Sequence, residues 1–223
     1  MPATPTTTDA EVLSYKALRQ AVGWVALGLP FALIIPWALA GHDLPTSISA
    51  YYYTGMRNLF VGCLCAVGLF NFCCRGYDRR DVVAGIFTAV CAVCVAFLPT
   101  SPAKDLSPPP CPVPGPHQQA VGTAHYVFAA MLFLTLAYFC LVLFTKTAEP
   151  GKESRKKLHR NRVYRVSGIV ILVSIFLIAL FGLLHRTYLF GNLGAMFCFE
   201  TTALVAFGVA WLVKGETFSF VRD

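Results

Sequence analysis

Six apolar stretches, at about residues 20–40, 54–74, 82–98, 120–144, 166–184 and 193–213, take up most of this 223-residue chain. Each is about long enough to cross ~30 Å of hydrocarbon as a helix rising about 1.5 Å per residue. The basic residues between them set an orientation. Of eighteen Lys and Arg residues, fifteen fall in segments on one side, and only Arg57, Lys104 and Arg186 fall on the other. That asymmetry puts the basic side in the cytoplasm, and both termini with it. The chain is therefore expected to be an all-α, polytopic inner-membrane protein, a bundle of six transmembrane helices. Residues 1–19 are read as a disordered or amphipathic N-terminal tail, 20–213 as the membrane domain and 214–223 as a cytoplasmic C-terminal tail.

The composition is 57% hydrophobic and 13% charged, with a mean hydropathy of +0.63, against roughly 25% charged in soluble domains. One membrane domain accounts for the length, with no room in it for a soluble catalytic domain. The net charge of +7 does not mark a nucleic-acid binder, because no basic patch sits on a soluble fold. It crowds instead into Lys146–Arg165, where anionic lipid headgroups would attract it. The first stretch follows Lys16 and Arg19 and ends near Ala38-Leu39-Ala40. At about 20 residues it is longer than the 7–15 of a secretory signal core, so a retained first helix is expected.

Eight of the nine cysteines lie in apolar stretches, where Cys behaves as a small hydrophobe. Cys91 and Cys94 have C-x-x-C spacing but no second pair, a weak metal or redox signal. Cys111 alone falls in an outer loop, as a free thiol or an intermolecular link. That loop, Pro99–Gln119, holds the run Pro108-Pro-Pro-Cys-Pro-Val-Pro-Gly-Pro116, expected to form a semi-rigid outer cap. Pro30 and Pro36 are expected to kink the first helix, and the turn Arg75–Asp81 makes an antiparallel hairpin of the second and third. No internal repeat is visible, which argues against an inverted-repeat transporter.

Ionisable groups inside a bilayer are costly and usually face a partner or water. Here Arg57 and Asn58 open the second stretch, His125 lies one to two turns into the fourth, and Glu200 about two turns into the sixth. All fall in the outer half of the membrane, and His42, His117 and His185 lie at or beyond its surface. Clustering by depth predicts an outward-facing polar site of Arg57, Asn58, His125 and Glu200, with Ser47, Tyr51 and Tyr52 at its rim. The bland alternative is that Arg57 snorkels, His125 bonds a carbonyl and Glu200 pairs with Arg57 as structural glue.

Three chemistries can use this set. A metal hydrolase would draw on His42, Asp43, His125, His185 and Glu200, with zinc as the natural ion, although no His-x-x-x-His pair fixes two ligands on one helix. A proton or cation path would use Glu200, His125 and Arg57, as an oligomer, since six helices enclose little volume. A serine nucleophile, Ser47 or Ser49, would take His125 as its base, without a Gly-x-Ser-x-Gly elbow. A fourth, non-catalytic reading is a membrane assembly or lipid-binding protein.

The run Ser47-Ile-Ser-Ala-Tyr-Tyr-Tyr-Thr-Gly-Met-Arg-Asn58 resembles a segment of a group of uncharacterised bacterial multi-pass membrane proteins. So do Arg75-Gly-Tyr-Asp-Arg-Arg-Asp81, Arg160-Asn-Arg-Val-Tyr164 and Trp211-Leu-Val-Lys-Gly215. That group brings no activity with it. A remoter similarity is to the CREST superfamily of membrane hydrolases, which includes alkaline ceramidases and adiponectin-receptor-like proteins. It implies seven helices with a serine, an aspartate and three histidines around zinc, and Ser47 and His125 would match its serine and one histidine. This chain departs in having six stretches and no His-x-x-x-His pair, and Asp78 falls on the side away from His125.

Overall fold

The computed structural model describes residues 7–74, 78–100, 116–147, 154–184, 188–190 and 193–218. The fold is built from six helices: α1 (Thr7–Leu39), α2 (Arg57–Cys73), α3 (Arg79–Phe97), α4 (Pro116–Tyr138), α5 (Arg155–Leu183) and α6 (Ala195–Lys214). A π-helical turn, Phe139–Leu143, extends α4, and a short 3-10 helix, Ser49–Tyr53, lies between α1 and α2. Two short strands, Tyr188–Phe190 and Leu193–Gly194, pair antiparallel just before α6.

Five of these helices, with α4 taken together with its extension, are long and apolar enough to cross a membrane. The sixth, α2, has 17 residues and spans about 26 Å, slightly less than the hydrocarbon core. The chain is thus an all-helical, multi-pass membrane protein. Many large apolar side chains point outward, Phe176 at 64% and Val83 at 64% exposure among them. A soluble protein would not leave so wide an apolar surface in water.

The helices begin and end where the local chemistry directs. Asp78 and Asp81 form a reciprocal capping box at the start of α3, and Ser154 caps α5 by accepting from the Lys157 amide. Two boundaries differ from the sequence reading. First, α1 begins at Thr7 and so takes in most of the expected tail, since no Pro or Gly interrupts residues 7–22. Second, α5 begins at Arg155, so much of the expected basic loop Lys146–Arg165 is helix. Its Arg and Lys residues are good helix formers, and they extend the span on its basic side.

Each helix packs on its neighbour in sequence, and α6 closes the ring against α1. Small residues permit that closure. A β-carbon on Gly208 of α6 would stand 2.8 Å from the Leu27 amide nitrogen and 2.9 Å from the Gly23 carbonyl oxygen of α1. Next to this contact, Trp211 packs among Phe139, Phe144 and Phe207. One end of the ring gathers the starts of α1, α3 and α5 and is rich in Lys and Arg. At this basic end Lys146 holds Asp78 at 2.8 Å and Asp81 at 2.9 Å, and Lys16 pairs with Glu216 at 2.6 Å. The other end carries the α1–α2 connection, and the polar residues of interest lie there.

Candidate functional site

The α1–α2 connection is folded down onto the bundle by its own small polar residues. Ser47 Oγ accepts from the Ala50 amide at 3.1 Å, which starts the 3-10 helix; Thr54 Oγ1 donates to the Tyr51 carbonyl at 2.8 Å and accepts from the Met56 amide at 3.1 Å. Such local bonds favour turns over longer helix. Distant helices then fasten the segment. The Phe197 amide in the first turn of α6 donates to the Thr46 carbonyl at 3.0 Å. Gly194 lies so close to Thr46 that a side chain there would meet backbone. Tyr53 donates its hydroxyl hydrogen to the Thr100 carbonyl beyond α3.

Two intramembrane groups picked out from the sequence meet on this segment. Glu200, half-buried on α6, accepts from the Ile48 amide at 2.6 Å, and the Ser49 amide also bonds it. His125, 1% exposed on α4, places Nδ1 2.6 Å from the Leu98 carbonyl oxygen and Nε2 3.0 Å from Ser49 Oγ. A carbonyl can only accept, so Nδ1 carries the proton. In the neutral ring Nε2 is then the acceptor, and Ser49 Oγ–H donates to it. The result is a fixed relay: the Leu98 carbonyl, the His125 imidazole and the Ser49 hydroxyl, with Ser49 itself 8% exposed.

The rest of the expected site is distributed differently. Arg57 is exposed, lies 4.1 Å over the Tyr52 ring and donates to the Tyr52 hydroxyl. Among the described residues it forms no ion pair with Glu200. Arg57 is the first residue of α2 and reaches outward, while two backbone amides meet the carboxylate. Asn58 is likewise exposed. Tyr51 is not at a rim: it is fully buried between Trp37 and Phe197, and burial pushes its hydroxyl up to about 12. Ser47 Oγ is engaged by the Ala50 amide just ahead of the 3-10 helix, and the position beside His125 belongs to Ser49.

Among the described residues the proposed metal ligands are not drawn together. His42 is exposed and stacks on Trp37 with ring centroids 4.1 Å apart, and both nitrogens of His125 already have partners. His185 and Cys111 lie outside the described residues. Among the described residues no three His, Cys, Asp or Glu side chains converge as a metal site would require. What sequence reasoning missed is mostly backbone: the Leu98 carbonyl and the Ile48 and Ser49 amides complete the cluster, and every residue type except proline carries both groups. Compared with protein-family models, curated proteins and solved structures, the chain matches none.

Proposed function

We propose that this membrane protein is an acyl hydrolase in which Ser49 is the nucleophile and His125 the general base, working on an ester that reaches the outer half of the bilayer. The basic end faces the cytoplasm of a bacterial cell. The relay from the Leu98 carbonyl through His125 to Ser49 carries the reading, because it supplies a nucleophile, a base in the required tautomer and a group orienting the base. In the reaction Ser49 Oγ attacks the ester carbonyl carbon and its proton passes to Nε2. The imidazolium then gives that proton to the departing alkoxide, and water releases the acyl group by the reverse path. The Leu98 carbonyl holds Nδ1–H throughout.

A serine-directed fluorophosphonate is the direct test, with intact-mass measurement on protein in lipid nanodiscs. One adduct at Ser49, lost in Ser49→Ala and strongly slowed in His125→Gln, is the expected result. No adduct on folded protein overturns the reading. A second reading is favoured by burial: Ser49 and His125 are both enclosed, and the amides of residues 48 and 49 already hold Glu200. On that reading the same bonds simply latch the 3-10 helix to α4 and α6. It predicts lost thermal stability in Ser49→Ala with no probe adduct in the native protein.

A further inference from the structure

We propose that the outer face between α3 and α4 at the basic end is a binding site for one anionic phospholipid, independent of any chemistry at Ser49. A groove of about 660 Å³ runs there between the two helices. Its walls are Val83 and Phe87 on α3 and Met131 and Leu134 on α4, and Arg79 and Arg80 stand at its mouth. Thr135 adds no polar demand, because its hydroxyl already donates to the Met131 carbonyl at 2.8 Å. Val83, Phe87 and Leu134 are 64%, 41% and 50% exposed, so the groove opens sideways, toward lipid in a membrane.

The charge at the mouth selects the occupant. Asp78 and Asp81, the carboxylates flanking Arg79 and Arg80 in sequence, are both held by Lys146. Among the described residues no side chain pairs with either guanidinium, and both residues are exposed. Two guanidiniums at the boundary of an apolar groove complement a phosphodiester whose acyl chain continues into the hydrocarbon. Tyr138, at the end of α4, lines the groove at a depth suited to an interfacial tyrosine. From Arg80 to Phe87, and from Tyr138 back to Met131, the groove descends roughly 10 Å, which is enough to seat the upper part of one chain. A free phosphate would leave those walls uncovered, so a lipid is the fitting source of the anion.

The test is native mass spectrometry of the detergent-solubilised protein titrated with phosphatidylglycerol, phosphatidylcholine or glycerol phosphate. One phosphatidylglycerol per chain is expected, held roughly tenfold more tightly than phosphatidylcholine. The double variant Arg79→Gln with Arg80→Gln removes that preference. Val83→Trp, which fills the groove and leaves the charges, lowers retention of the lipid. Arg155→Gln with Arg162→Gln, equal in charge but on α5, leaves it unchanged. Equal binding of phosphatidylcholine, an unaffected Arg79/Arg80 variant, equally tight glycerol phosphate, or a second copy of the chain on this face would each overturn the proposal. A fluorophosphonate result at Ser49 in either direction leaves these outcomes as they stand.

Discussion

At the scale of single residues, the loop end is governed by which polar groups find partners away from water. His125 has both ring nitrogens engaged, so Ser49→Ala leaves Nε2 buried without its donor. That should cost about 1–3 kcal/mol, read as a lower midpoint of thermal unfolding in detergent. Tyr51 sets up the opposite case. Its hydroxyl is buried with no hydrogen-bond partner among the described residues, while its ring packs against Trp37 and Phe197. Tyr51→Phe keeps the ring and removes the unmatched group, so it should be neutral or stabilising by up to about 1 kcal/mol. A clear loss of stability would show that the hydroxyl has a partner that matters.

At the scale of elements, helix contacts turn on small residues and helix starts on charge. Gly208 and Gly28 make a controlled pair. A β-carbon at Gly208 meets the α1 backbone, whereas one at Gly28 meets nothing within 4 Å. Gly208→Ala should therefore destabilise by about 1–3 kcal/mol, and Gly28→Ala should stabilise by up to about 1 kcal/mol. If both behave alike in thermal unfolding, α1 and α6 do not close the ring as described. At the start of α3, the hydrogen bond from Lys146, helped by the Asp81 and Arg80 amides, holds the Asp78 carboxyl below its ordinary value of 3.8. A lowered folded-state value means stability that is present above pH 3.8 and lost as pH falls through the lower folded value. Lys146→Met should flatten the acid limb of a plot of unfolding midpoint against pH, because Asp78 then titrates closer to its unfolded value.

At the scale of the whole molecule, the ring of helices separates a basic end from an end where polar side chains grip a folded-down connection. The charge asymmetry predicts an orientation in the membrane, and the chain's own thiols can test it. From the sequence, Cys111 is expected in an outer loop, on the side opposite the basic residues, whereas Cys73 closes α2 at the basic end, exposed. A membrane-impermeant maleimide applied to intact spheroplasts should label Cys111 and spare Cys73, with Cys111→Ser removing the signal. Labelling of Cys73 alone would invert the topology.

Hydrophobic length alone determined that this chain makes six helices, because hydrocarbon tolerates only backbone that satisfies its own hydrogen bonds. The same depth argument picked out His125 and Glu200 as groups needing partners. Which partners they take was decided by tertiary structure. Arg57 turns outward to Tyr52, Glu200 is met by backbone amides, and Ser49 rather than Ser47 stands beside His125. The physical reason is that a 3-10 turn, docked by residues from α4, α6 and the segment just after α3, sets those directions. Backbone carbonyls, and amides at every position but proline, look alike in a sequence and acquire meaning only where the fold points them.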